Sequence, residues 1–431
     1  MLYLVEDESI LPAHHGALAA LLADALHATL WPLPAALDEA RFPDAVQHVT
    51  RGQGLAPSGL IWAERLGVLP ASCAAEDGGA LLAAARVRDV VVPLHPRVAG
   101  DGAPAEAWRT LAVTHDVAVR HCRVLRDDGD ARVIDIATGA DVAGQGLCRQ
   151  DRFGRWSTAP MRSAGEHAAP RTASHAAPVP SARLRIALIG SEANQREVYP
   201  ATLAALGDAL DVARVDGAAV ELVFVAPETL CTLDAAALAG CDGILLPGGA
   251  DMRAVPGQVA AARHGWLTGT PVVGLCLGMQ TMATAVLQIA LGAEDVGLTE
   301  VDANVRVPSF VPMEREPLSP PSPPSPLHRV GEHRMEVVDG SRLAALLAGR
   351  HGLRYNHRYR FNPALHAALT AAGVDVAARD RTGAIVDAIE ARGHPFFIGM
   401  QGHPEQSSKR SRPHPLLLAF VEAAREAAAA R

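Results

Sequence analysis

A single lysine, Lys409, stands among 431 residues, and arginine carries the rest of the positive charge. A Walker-type phosphate loop needs a lysine directly after its glycines, so that loop is excluded. Schiff-base chemistry has one candidate, in the polar stretch SSKRSR. The six cysteines, Cys73, Cys122, Cys148, Cys231, Cys241 and Cys276, are scattered and form no CxxC pair. A disulfide framework or a zinc ribbon is therefore not expected. Aromatic residues make up only 4%. No apolar run reaches the roughly 18 uncharged residues of a membrane span. The opening MLYLVEDESI has acids where a signal peptide carries positive charge. The net charge of −8 is not gathered into long runs, and no basic face for nucleic acid appears. A cytoplasmic protein with neither membrane nor nucleic-acid partners is the expectation.

What is present is apolar: 49% of residues, mostly Ala, Leu and Val, enough for a sizeable core. The length allows two or three domains. Residues 157–182 are rich in Ala, Pro and Ser and read as a linker. They separate a region over 1–156 from one over 183–431. A second proline cluster, PLSPPSPPSPLH at 317–328, reads as an extended, solvated loop.

The later region alternates. RIALIG (185–190), VELVFVA (220–226), CDGILLPGG (241–249) and PVVGLC (271–276) read as strands. Stretches near 199–211, 256–267 and 278–291 read as helices. Near-continuous apolar strands between helices predict an α/β fold, a doubly wound and mostly parallel sheet. Functional residues on such a sheet belong at the carboxyl ends of strands, where PGG and Cys276 fall. The earlier region reads as a smaller mixed α+β domain. LYLV opens as a strand, 16–29 is helical, and 120–139 is a hairpin turning at DDGD. His14, His15, His48, His95, His115 and His121 show no ligand spacing and read as core or surface histidines.

GLCLG (274–278) has a nucleophile between two glycines. A strand turning at once into a helix strains the backbone at the middle residue, and flanking glycines relieve the crowding. The turn sets the sulfur at a helix N-terminus, where the dipole favours the thiolate. Alone, GxCxG serves a buried structural cysteine about as well. PGG (247–249) offers amides beside it for an oxyanion. FFIGMQGHPEQ (396–406) delivers His403 and Glu405 two apart, on one side of an extended chain. Together they make a nucleophile–His–acid set.

Six stretches, in order, carry a resemblance: GILLPGG (243–249), PVVGLCLGMQ (271–280), LTE (298–300), HRYRFN (357–362), GMQGHPE (399–405) and HPLLLAF (414–420). Over about 184–427 the chain resembles the class I, or triad, glutamine amidotransferases, and among them the glutaminase domain of CTP synthase. The resemblance implies Cys276 as nucleophile, His403 and Glu405 completing the triad, and oxyanion-hole amides from Gly249 and Leu277. It implies Gly248 and Gln280 at the glutamine site. Glu300 would hold the α-ammonium and Arg358 the α-carboxylate, one anchor of each sign for a zwitterion. No cofactor and no metal are expected. The partners implied are glutamine and a synthetase or ligase that accepts the ammonia.

The sequence also departs from that family. Its aromatic positions are Ala250, Gly402 and Gln406 here, and HRYEVN has become HRYRFN, with Arg360 and Phe361. The region before the match does not resemble the amidoligase domain and holds no lysine. Three readings follow: a glutaminase feeding an acceptor, a γ-glutamyl hydrolase or transferase with a widened pocket, and a non-catalytic glutamine-binding or interaction protein.

Overall fold

The computed structural model describes residues 1–33, 35, 37–50, 54–70, 78–95, 104–127, 129–144, 146–158, 183–215, 220–230, 235–315 and 325–431. They fall into two compact units. One is drawn from Met1–His48, Ala56–Ala177 and Ala193–Ala204, the other from Val49–Leu55, Pro178–Glu192 and Ala205–Arg431. Of the expected linker, 157 and 158 extend a strand, and 159–182 lie outside the described residues. The same holds for 317–324 of the proline cluster, while Ser325–Pro326 pairs with Glu314–Arg315.

The first unit is built on a seven-stranded sheet. Its strands are β1 (Leu2–Glu6), β2 (Thr29–Leu30), β3 (Val90–Leu94), β4 (Val119–Asp127), β5 (Asp130–Asp135), β6 (Cys148–Gln150) and β7 (Trp156–Thr158), in the order β2-β3-β1-β4-β5-β6-β7. The first four run parallel. The hairpin expected over 120–139 is the antiparallel pair β4–β5. Tyr3 and Val5 enter one core cluster and Leu2 and Leu4 another, the period of two that a strand buried on both faces requires. The helix expected over 16–29 is shorter. It runs as α1, Ala17–Ala25, and the chain then turns through left-handed His27 into β2. Thr29 and Leu30 instead pair with Val90 and Val91.

The second unit holds a nine-stranded sheet. Its strands are β8 (Leu184–Ile189), β9 (Val220–Val225), β10 (Gly243–Leu246), β11 (Val272–Leu275), β13 (Arg329–Val337), β14 (Gly352–His357), β15 (Val374–Asp380), β16 (Val386–Ala391) and β17 (Phe397–Met400). The order is β9-β8-β10-β11-β17-β16-β15-β13-β14. The five strands from β9 to β17 are parallel, and the rest extend the sheet antiparallel. The short strand β12 (Val296–Leu298) belongs to a separate three-stranded sheet. Three helices follow the expected positions: α2 is Ala201–Val212, which enters this unit from Ala205, α3 is Val255–Thr268 and α4 is Leu277–Leu291; a fourth, α5, Pro415–Ala430, closes the chain. Ile244, Leu246, Val272, Met279 and Met282 belong to the core that joins α3 and α4 to the sheet.

Candidate active site

Cys276 sits between β11 and α4 with φ 49° and ψ −105°. A non-glycine residue at positive φ is strained and persists only where its surroundings over-determine it. Here they do. The Cys276 N–H donates to the Met400 carbonyl at 2.7 Å. Gly278 passes so close to the Leu246 carbonyl that any Cβ would collide with it. A Cβ on Gly274 would lie 2.6 Å from the Gly278 carbonyl. The two glycines of GLCLG are thus demanded by contact as well as by the turn. Leu277 opens α4, and the first amides of a helix have no intrahelical acceptor.

His403 and Glu405 are fully buried, and His403 Nδ1 lies 2.7 Å from Glu405 Oε1. The geometry that joins them differs from the extended chain expected. Pro404 starts a short helix, Pro404–Ser407, with His403 at its N-cap. Proline suits that first helical position because its ring fixes φ and its missing N–H is not needed there. The His403 N–H donates to the Arg354 carbonyl on β14 at 2.8 Å, which fixes the residue from its other side. Nε2 of the ring is buried without a hydrogen bond of ordinary geometry to any described residue. Such bonds are commonly loose without substrate and tighten when it binds. Burial pulls the imidazole down, but the Cys276 sulfur and the Glu405 carboxylate outweigh it and raise it to about 10. An ideal Cβ on Gly248 would lie 3.2 Å from His403 Cε1 and 3.3 Å from Cys276 Cβ, so the PGG turn closes over both.

Gln280, one turn into α4, is buried, and its Nε2 donates to Gln401 Oε1 at 3.2 Å. Gln401 Nε2 in turn donates to Cys276 Sγ at 3.5 Å. Gln401 was not among the residues expected. The available signal was its place in GMQGHPE, four residues before Glu405. The Asn356 carbonyl on β14 stands 3.9 Å from the same sulfur. Two residues on, Arg358 is exposed, and its charge reaches Glu300, on the turn after β12. Burial raises the Glu300 carboxyl, and Arg358 draws it part of the way back. Gly249 is half-buried directly after Gly248.

The departures from the family pattern have structural answers. At Gly402 a side chain would meet Leu353 Cδ1 at 2.9 Å and the Arg354 carbonyl at 3.2 Å, so that space is filled. Gln406 is buried, and its Oε1 accepts the Val49 N–H at 2.9 Å, within the second unit. Phe361 is core, packed edge-on against Phe310. Arg360 Nη1 donates to the Ala384 carbonyl. Ala250 is exposed.

Among the described residues no group of three or more His, Cys, Asp or Glu is arranged to hold a metal ion. No described helix is long and apolar enough to cross a membrane.

Residues 209–423 match the family described as glutamine amidotransferase class-I. The chain is similar to the CTP synthase of Saccharopolyspora erythraea, 34% identical over 262 residues, which is 58% of this chain and 45% of the relative. It is similar to the CTP synthase of Deinococcus radiodurans, 31% identical over 341 residues, 76% of this chain and 60% of the relative. The chain thus spans about half the length of the curated relatives it matches. Among solved structures, the glutaminase domain of Trypanosoma brucei CTPS with bound acivicin is similar, with a TM-score of 0.50 and 27% identity. That match covers 56% of this chain and 94% of that one.

Proposed function

Because residues 209–423 belong to the class-I glutamine amidotransferase family, we propose that this protein releases ammonia from glutamine through a Cys276–His403–Glu405 triad. Cys276 attacks the side-chain carbonyl carbon. The oxyanion that forms takes hydrogen bonds from the Gly249 and Leu277 amides. His403 carries the thiol proton to the leaving nitrogen, and ammonia departs. Water then cleaves the glutamyl thioester to glutamate. Glu405 holds the imidazole by Nδ1 and stabilises its cation. Gly248 and Gln280 wall the substrate, Glu300 takes its α-ammonium and Arg358 its α-carboxylate.

The observation that carries this reading is the buried His403–Glu405 pair, 2.7 Å long, with its imidazole raised to about 10 by the sulfur beside it. A base whose titration is shifted by the groups on either side of it is what such chemistry needs. The wider-pocket reading loses support at Gly402, whose free space Leu353 and Arg354 take up, and at Gln406, which is buried. The ammonia goes to a synthetase or ligase acceptor. Residues 1–182 hold no lysine and therefore no Walker-type phosphate loop.

The test is glutamate release by the full chain. Cys276→Ala and His403→Ala each abolish it; activity retained in both variants overturns the proposal.

A further inference from the structure

We propose that Gln401 is a fourth catalytic residue, one that holds negative charge on the Cys276 sulfur and lets the thiolate leave the acyl intermediate. The inference rests on the glutaminase reading for what that sulfur does, though the contact stands by itself.

The sheet puts Gln401 there. β11 and β17 run parallel, with Gly274 opposite Gly399 and Leu275 opposite Met400. The next step of that register sets Cys276 opposite Gln401. The Cys276 N–H is anchored to the Met400 carbonyl, and the Gln401 N–H to the Asp387 carbonyl at 2.8 Å. Both backbones are therefore fixed where the two side chains meet. Gln401 is fully buried, and so is water-excluded.

The amide is also turned the right way. Gln280 Nε2 donates to Gln401 Oε1, which directs the Gln401 NH2 toward Sγ. A sulfur that becomes an anion gains from a donor, and a buried donor with fixed orientation costs nothing to reorganise. In the second half-reaction water attacks the thioester carbonyl carbon and His403 takes the water proton. The C–S bond then breaks with its electron pair going to sulfur, and glutamate departs. The Gln401 N–H receives that returning charge. One acceptor in the relay stays open: Gln280 Oε1 is buried with no hydrogen-bond partner in the described residues. A substrate N–H bound there polarises both amides in series and strengthens the bond to sulfur.

The test uses the full chain and Gln401→Met, which keeps the length and removes the donor. With glutamine, kcat falls about tenfold or more, the loss expected for a hydrogen bond to a charged group. KM falls with it, and intact-mass measurement finds the glutamyl thioester accumulating. A residue that only packs would lower kcat/KM without trapping the acyl enzyme. Independently of turnover, alkylation of Cys276 by iodoacetamide, followed on its own peptide, slows severalfold. Loss of thiolate there outweighs the gain in intrinsic nucleophilicity. Should Gln401→Met not fold, Gln280→Met frees the Gln401 amide to turn and shifts both readouts the same way, by less. Wild-type kcat, no trapped thioester and unchanged alkylation overturn the proposal while leaving the glutaminase reading intact. A wild-type chain that releases no glutamate, with alkylation still slowed in the variant, removes that reading and keeps the sulfur donor.

Discussion

At His403 burial and charge pull in opposite directions. Burial disfavours the imidazolium, yet the Cys276 sulfur and the Glu405 carboxylate raise its titration from 6.5 to about 10. The folded protein therefore binds this proton more tightly than the unfolded chain does. That contribution to stability is fully present below pH 6.5 and is lost as pH rises through about 10. Urea midpoints taken from pH 6.5 to 10 should fall in the wild type and fall less in His403→Gln, which has no such proton to lose. Equal slopes in the two proteins would count against the raised value. His403 and Glu405 were legible as residues because His-Pro-Glu followed an apolar strand. Their join was not, because the helical turn begun by Pro404 replaces an extended chain. Gln401 escaped for a related reason. Its partner is 125 residues away on a parallel neighbour, and only the strand order reveals that adjacency.

Strand order also decides where the elements of the second unit meet. The alternation of apolar runs and helices identified β8 to β11 and α2 to α4 to within three residues at each end, since near-continuous apolar strands leave a clear mark. The antiparallel half, β13 to β16, left a weaker one. Its burial alternates irregularly, and polar residues occupy core positions. Arg329 on β13 and Asp387 on β16 are the clearest case. Both are buried, with Nη1 2.5 Å from Oδ1 and Nη2 3.0 Å from Oδ2, and the guanidinium lies 3.8 Å from the Tyr355 ring centroid. The pair crosses over β15, which lies between the two strands. Two desolvated charges add little net stability as a pair, but one left alone is expensive. Asp387→Ala should therefore lower unfolding free energy by about 3–5 kcal/mol. The double variant Arg329→Met/Asp387→Leu should lose much less than the two single changes added together. Additive losses in urea titrations would mean that the charges are not coupled.

Over the whole molecule, the same logic applied to histidine predicts acid sensitivity in both units. His14 in the first unit and His357 and His414 in the second are pushed down to about 3, and His15 in the first to about 4. Burial is the largest cause in each case. Arg126 adds to it at His14, His95 at His15, and Arg350 at His414. Each is neutral when folded and takes up a proton readily once unfolded. Their contribution is present above 6.5 and is lost as pH falls toward the folded values. Each such group costs about 1.4 kcal/mol for every pH unit below its ordinary value. With the alkaline loss at His403, stability should peak close to neutrality and fall on both sides. His414 makes the acid limb separable, since its Nδ1 also accepts the Leu416 N–H and caps α5. Asparagine can keep such a cap without taking a proton. His414→Asn should match the wild type closely at pH 7.5 and exceed it at pH 5, by a margin near the cost of one protonation. Chemical denaturation at the two pH values measures this directly. A variant that loses as much as the wild type on acidification would shift the acid sensitivity to the other three histidines, whose asparagine variants are then the ones to compare.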